Sequence, residues 1–516
     1  MDELTAAVLA NALVLAAEEA SIVVVRAAFS TFIVEGSDAS AAVLDGRGRL
    51  VAQSAATSLA HANSLTACLA SVLEDHPLDT IGRDDVIVMN DAFRGGIHAN
   101  DLAVFQPVFV DDRPAYFTGT LIHVGDLGGS SAGGMHATAT DIFQEGLQLP
   151  PVRLTDEVAQ ILRLNSRRPT ELWGDVQALV AGTTVARRRM ETLIAEHGAD
   201  VVAAGVDAHL DHAERLVRQE IAALPDGSYG GRFVVDGDGI HAGRSYEIVV
   251  TVTVDGDHVI VDFDGTVDAV AASINSSLSQ TVSGALFALR CFVDAPVPIN
   301  EGTFRPFEIR VPLGSLLNPK PPMPLGGRFI AVDAVIDAVW EALSQARPDR
   351  AMAGSGILTP FAVASVEGAA TPWLHMAFDY GGTGARHGAA GLDGQGIHFG
   401  LGRSMIPQVE PVEARCPLRV ESIEVIDGSG GAGRWPGGRG TRTTFRVLED
   451  AVSTFRCDRH ENPPPGRDGG SPGRGGGYFV NGQRLPDKAA NVRLRAGDRF
   501  VVETSGGGGF GKGSEQ

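Results

Sequence analysis

Apolar and polar positions follow two periods along this chain. Near the N-terminus the pattern reads as strands. Asp38 to Asp45 alternates, turns at Gly46-Arg47-Gly48, and returns as Arg49 to Gln53. Asp85 to Asn90, Leu102 to Val110 and Ala115 to Ile122 are short apolar runs bounded by turn residues, which predicts buried strands. Helical spacing marks Leu4 to Val25, Arg187 to His197, Asp207 to Leu224, Ser276 to Asp294 and Ala331 to Ala346. Between these, Gly243 to Gly265 reads as strand, with Asp255-Gly256-Asp257 as a hairpin signal. After Gly381 the chain turns Gly-rich and strand-like. The pattern predicts a mixed α/β, multi-lobed protein without a long disordered linker, divided at about 1–145, 146–380 and 381–516.

The strand predictions carry the candidate chemistry. His98 and Asp101 lie in the run Asn90-Asp91-Ala92-Phe93-Arg94-Gly95-Gly96-Ile97-His98-Ala99-Asn100-Asp101, between two predicted strands. Positions i and i+3 of a straight strand project to opposite faces, so the pair can share one ion only from a helix or an irregular loop. Gly95 and Gly96 argue for the loop. Imidazole nitrogen and carboxylate oxygen suit a divalent metal, although a lone His is more often structural. His123 ends another predicted strand, so a sheet could present all three side chains at one rim. Asp38 opens its strand, where an acid is commonly a turn residue or a helix cap.

Composition adds exclusions. The chain has 516 residues, 44% of them hydrophobic, and 63 acidic against 42 basic side chains give a formal net charge of -21. Such a surface repels phosphate backbones, which disfavours nucleic acid as a partner. Cys68, Cys291, Cys416 and Cys457 form no Cys-x-x-Cys pair, so neither a zinc ribbon nor a disulfide framework is visible. Asp2 and Glu3 replace the basic start of a signal peptide and Glu18-Glu19 interrupt the apolar N-terminus, which predicts a packed helix, no membrane span and, by default, the cytoplasm.

Three motif matches lack their context. Gly428 to Gly433 satisfies G-x-G-x-x-G, but Arg434-Trp435-Pro436-Gly437-Gly438 cannot open the helix that would hold a pyrophosphate. Gly506 to Gly513 nearly spells a P-loop, yet Gly513 stands where Ser or Thr would hold Mg²⁺. No nucleotide site is therefore predicted. Gly129-Ser130-Ser131-Ala132-Gly133 matches G-x-S-x-G without a strand running into it, which reads as a flexible loop that could cover a substrate.

The runs VEGSDASAAVLDGRGRLVAQ, MNDAFRGGIHANDLAVFQPVF, HVGDLGGSSAGGMHATATDIFQEGLQLPPVRL, GDVQALVAG, LPDGSY, VDFDGT, INSSLSQTVSGALFALRCFVDAPVPINEGTFRP, GSLLNPKPP and ETSGGGGFG resemble the hydantoinase B/oxoprolinase family in that family's order. The resemblance implies a hydantoinase B-like fold and places metal ligands at Asp38, His98, Asp101 and His123. Two imidazoles and two carboxylates suit zinc, iron(II) or manganese. Many relatives carry His-His where this chain has His123-Val124, and a Cys where it has Ala41. Asp126 and His61 then become candidates for orienting the ligands and tuning a bound water, the alternatives being a turn acid and a polar residue at a helix start.

Because relatives work with an A-type ATPase subunit, the resemblance implies a two-component, ATP-dependent hetero-oligomer that opens a cyclic amide such as a hydantoin, oxoproline or lactam. Related ketone carboxylases share the scaffold, and a non-catalytic assembly subunit is a third possibility.

Overall fold

A computed structural model of the chain describes residues 2–36, 38–54, 59–396 and 408–513. Helix α1 (Glu3–Ala27) starts at Asp2, whose carboxylate accepts the Thr5 amide at 2.9 Å. After the short α2 (Thr31–Gly36) come β1 (Ala39–Asp45), β2 (Leu50–Gln53), α3 (Leu59–Asp75), β3 (Ile87–Met89), β4 (Asp101–Val110), β5 (Arg113–His123) and β6 (Val152–Arg153). Helices α4 (Asp156–Leu164), α5 (Pro169–His197) and α6 (Ala199–Ile221) follow.

The first sheet runs in the order β2-β1-β5-β4-β3-β6, with every neighbour antiparallel. Its period-2 alternation serves two apolar faces. Ala42, Leu44, Phe105, Phe117 and Leu121 pack with Leu65, Cys68 and Leu69 of α3. Across the sheet, Val43, Val51 and Val108 meet Leu9 and Leu13 of α1, Met190 of α5 and Val206 of α6. Both faces are covered, which is why the strands read as nearly continuous apolar runs. Helix α1 is long and apolar enough to cross a membrane, but it buries Leu9, Leu13, Ala17 and Val24 against this lobe.

The next sheet, in the order β10-β9-β8-β7, is built from β7 (Gly227–Val235), β8 (Tyr246–Asp255), β9 (His258–Asp262) and β10 (Phe307–Arg310). The hairpin read at Asp255-Gly256-Asp257 joins β8 to β9, with Asp255 paired to His258. Helices α7 (Leu278–Arg290), α8 (Glu301–Phe304) and α9 (Arg328–Ala346) belong here, and α9 lies across β7 and β8.

Two further sheets complete the chain. One is ordered β12-β11-β15-β18, from β11 (Leu358–Ser365), β12 (Leu374–Tyr380), β15 (Ala451–Arg456) and β18 (Lys488–Leu494). The other is ordered β13-β14-β19-β16-β17, from β13 (Leu418–Val425), β14 (Thr441–Val447), β16 (Gly477–Val480), β17 (Gln483–Arg484) and β19 (Arg499–Glu503), with α10 (Val409–Arg415) before β13. Phe361 and Phe455 of the first meet Phe445, Tyr478 and Phe500 of the second, at centroid distances such as 5.5 Å for Phe361–Phe445 and 4.2 Å for Phe455–Tyr478.

The glycines of this region form a bundle rather than loose turns. Gly431 donates to the Gly507 carbonyl at 2.8 Å, Gly437 to Gly431 at 2.9 Å, Gly507 to Gly438 at 2.9 Å and Gly508 to Gly354 at 2.8 Å. A Cβ on Gly437 would overlap the Gly507 carbonyl, and one on Gly509 the Ala432 carbonyl. Backbones pack this closely only where side chains are absent. The two runs that imitate phosphate-binding loops, at 428–433 and 506–513, are thus engaged with each other.

Candidate metal centre

Three ligand candidates stand level across the first sheet. Asp101 pairs with His123 between β4 and β5, and Ala39 pairs with Ile122 between β1 and β5. Asp38, one residue before Ala39, is thereby level with His123. All three share the parity of Ala42, Ala103 and Leu121, so they point to the α3 side of the sheet rim.

His98 arrives from the preceding loop, and local bonds explain its turn. Asp101 donates its amide to the His98 carbonyl at 3.1 Å, folding the His-x-x-Asp segment back on itself. Asn90 braces the loop, donating to the Ala99 carbonyl at 2.5 Å and the Leu147 carbonyl at 2.8 Å. Gly95 has φ +103 and rests on the α3 backbone at Ala67 and Cys68, where any Cβ would overlap.

The result is a triangle of ligand atoms. His98 Nε2 lies 3.1 Å from His123 Nδ1 and 3.1 Å from Asp101 Oδ1, and His123 Nδ1 lies 3.0 Å from Asp101 Oδ1. The two rings stack with centroids 4.9 Å apart. His98, Asp101 and His123 form the tight potential metal-holding group among the described residues. Donors each about 2.0–2.1 Å from one ion stand roughly 3 Å apart, so the edges match a shared cation.

Protonation states agree with this chemistry. Burial, with Arg328 adding to it, lowers the His98 pKa to about 3, so the imidazole is neutral with a lone pair to give. Burial alone would push Asp101 up, but its polar and cationic surroundings, the Arg328 guanidinium among them, outweigh it and hold this carboxyl well below the usual range. Asp38 stands outside the triangle. Its Oδ1 is buried, accepts no hydrogen bond, and faces His61 Nε2 at 3.7 Å. A neutral His98 imidazole, an ionised Asp101 carboxylate, the His123 ring and an orphaned carboxylate oxygen on Asp38 fit a divalent ion.

His61, in the first turn of α3, also binds Ser40 through Nδ1 at 2.7 Å. Burial lowers its pKa, leaving it neutral beside Asp38. Asp126 is placed differently from its reading as a residue that orients ligands. Its carboxylate accepts the Gly128, Gly133 and Arg167 amides at 3.1, 3.0 and 2.8 Å, and pairs with the Arg167 guanidinium at 2.9 Å. With those partners it is the turn acid that shapes the glycine loop. That loop is also less free than its composition reads. Ser131 Oγ meets His136 Nδ1 at 2.7 Å and Asn491 Oδ1 at 3.1 Å, and Thr454 holds the Met135 carbonyl at 2.7 Å. Asp126, Ser131, Arg167, Trp373 and Asn491 line a cleft of about 1590 Å³, and His98, Asp101 and His123 are not among its lining residues.

Arg328 escaped the sequence reading. At the start of α9, it reaches Asp101 Oδ2 with Nη2 at 3.3 Å across a separation of 227 residues. Buried Glu145 also joins this region, accepting the Leu325 and Gly326 amides at 2.8 and 2.7 Å. Around Glu145 the sequence carries only the family-like run DIFQEGLQL, and no spacing rule links it to α9.

Comparison with known proteins gives a consistent picture. The hydantoinase B/oxoprolinase family model matches residues 2–513. A protein assigned as the B component of a D-/L-hydantoinase in Pseudomonas sp. strain NS671 is 30% identical, covering 99% of this chain and 90% of that protein. The beta chain of caprolactamase from Pseudomonas jessenii is 28% identical, covering 99% and 91%. In solved structures, the ATP-dependent caprolactamase of Pseudomonas jessenii superposes with a TM-score of 0.89 at 25% identity, covering 99% of this chain and 91% of that one. An acetone carboxylase shares the fold, with a TM-score of 0.89 at 19% identity over 99% of this chain and 76% of that one.

Proposed function

The chain belongs to the hydantoinase B/oxoprolinase family, and from that membership we propose that it is the metal-bearing subunit of a two-component, ATP-dependent amidohydrolase that opens a cyclic amide of hydantoin, oxoproline or lactam type. The observation that carries the reading is the triangle of His98 Nε2, Asp101 Oδ1 and His123 Nδ1 with its 3.0–3.1 Å edges. Asp38 would complete the set. Zinc suits these donors, as do iron(II) and manganese. When bound, such an ion acidifies water toward a pKa of about 7, which supplies hydroxide near neutral pH.

The chain's own residues prepare the rest. The His98–Asp101 turn fixes the donors before an ion arrives, Arg328 orients Asp101 through its second oxygen, and His61 with Ser40 positions Asp38. An A-type ATPase subunit, the proposed partner in a cytoplasmic hetero-oligomer, phosphorylates the amide oxygen. Water oxygen then bonds to the ring carbon, the ring C–N bond breaks with the nitrogen leaving protonated, and a second water releases phosphate.

The test is reconstitution with the A-type partner and ATP in ¹⁸O-labelled water, with elemental analysis of the purified chain. Label in the ring-opened carboxylate and about one transition metal per chain support the reading. Bicarbonate-dependent turnover of a ketone without lactam opening assigns a carboxylase instead.

A further inference from the structure

Next to the candidate metal centre lies a buried charge cluster that holding an ion does not require. Arg456, at the end of β15, is 3% exposed, and its Nη1 contacts Ser273 Oγ at 3.2 Å while its Nε has no hydrogen-bond partner. Arg328 leaves its own Nε without a partner as well. An unmatched buried N–H is costly, so two on arginines close enough to repel each other mark a place built for something else to accept them.

Nearby anions do not fill that role. Glu145 accepts the Leu325 and Gly326 amides and the Ser273 hydroxyl, the last at 2.7 Å, and Ser273 Oγ also receives the Gly327 amide at 3.0 Å. The Leu325, Gly326 and Gly327 amides before α9 are therefore already taken. Gly326 is the residue at which Glu145 and Arg456 converge, since a Cβ there would come within 2.8 Å of Glu145 Oε1 and 2.9 Å of Arg456 Nη1.

The charges set the sign of the missing group. In formal charge, the carboxylates of Asp38, Asp101 and Glu145 stand against the guanidiniums of Arg328 and Arg456, a net of one negative. A divalent ion reverses it to one positive, and a buried positive excess favours an anion. Burial lowers the pKa of Arg456 to about 10, the direction that an arriving anion would reverse. Arg328 keeps 17% of its side chain exposed against 1% for Asp101, so the cluster opens to solvent past Arg328.

We propose that Arg328 and Arg456 form an oxyanion-binding site beside the metal centre, whose occupant is the phosphoryl group carried by the activated substrate. Guanidinium edges match phosphate oxygens with paired N–H donors. Naming the occupant rests on the phosphorylated-substrate reading above. The site itself rests on the two arginines.

Calorimetric titration of the isolated, zinc-loaded full chain with inorganic phosphate tests the site without partner or ATP. Saturable one-to-one binding is expected, weakened at least 10-fold by Arg456→Gln or Arg328→Gln and less by Arg456→Lys. Circular dichroism and Tm verify folding, and the partly exposed Arg328 supplies the decisive variant if Arg456→Gln does not fold. No phosphate binding by the wild-type chain, or equal binding by a folded Arg328→Gln variant, overturns the site. Displacement of phosphate by equimolar bicarbonate overturns the phosphoryl assignment. Assays of the reconstituted complex separate the two ideas. Arginine-dependent phosphate binding without lactam opening would sink the amidohydrolase reading alone. Lactam opening with unaltered KM and phosphate affinity in folded arginine variants would sink the anion site alone.

Discussion

The Oδ1 of Asn100 would overlap a Cβ on Gly134, while the Asn100 amide nitrogen donates to the Gly133 carbonyl at 3.0 Å and the Val124 carbonyl at 3.2 Å. One side chain thus links the glycine loop to the segment between His98 and Asp101. Gly134 also has φ +63, which L side chains rarely adopt. Gly134→Ala should cost about 2–4 kcal/mol from backbone strain plus overlap. A thermal melt checks it, and a Tm within 1 °C of wild type, at roughly 2–4 °C per kcal/mol for large domains, would refute the pin.

His61 touches Asp38 and Ser40 but none of the triangle atoms at bonding distance. His61→Ala should leave the metal stoichiometry at saturation and weaken affinity about 10–100-fold, the usual loss when a group that orients a ligand is removed. Competition with a zinc chelator measures this. Unchanged affinity would separate His61 from the metal centre.

Asp379 on β12 is buried, and neither carboxylate oxygen makes a well-formed hydrogen bond. Burial pushes its pKa up to about 6, and the nearby Thr443 hydroxyl offsets little of this. The folded pKa exceeds the unfolded value of about 3.9, so this group's stabilising contribution is complete below about pH 4 and is lost as pH rises to about 6. Asp379→Asn should therefore equal wild type near pH 3.5 and exceed it by about 2–3 kcal/mol above pH 7. Denaturant titrations at the two pH values decide, and a gain that is the same at both would refute the assignment.

Ser131 has an imidazole at 2.7 Å, yet its hydroxyl also meets Asn491 on β18. It is 3% exposed and ties two lobes together. Ser131→Ala should lower stability by about 1 kcal/mol, the net worth of a hydrogen bond, and leave the proposed ring-opening activity within a few fold. A fluorophosphonate probe should form no adduct by mass spectrometry. Stoichiometric labelling at Ser131 would instead make it a nucleophile.

Much of the first sheet was legible because its strands, covered on both faces, read as short apolar runs bounded by turn residues. Asp101 and His123 could be placed at strand ends for the same reason. The convergence of His98 with Asp101 was legible only as a requirement for an irregular loop, which Gly95 and Asn90 then explain. Arg328 was not legible, because its approach to Asp101 depends on how α9 docks against a lobe 227 residues earlier. Asp126 stayed open between two readings because an acid in a Gly-rich turn looks the same whether it faces a ligand or its own backbone amides. The region after Gly381 read only as Gly-rich and strand-like because local propensity carries no record of which backbones lie alongside.

That glycine bundle also sets an order in time. Gly354, Gly431, Gly438 and Ser471 complete their hydrogen bonds only with Gly507, Gly508 and Gly509, which leave the ribosome last among them. The C-terminal sheets must therefore wait, with part of their interior open, until some 150 residues of intervening chain have been translated, as Gly354 waits for Gly508. Loss of a few residues around 506–511, through a frameshift or a protease, would remove interior backbone rather than a dispensable tail.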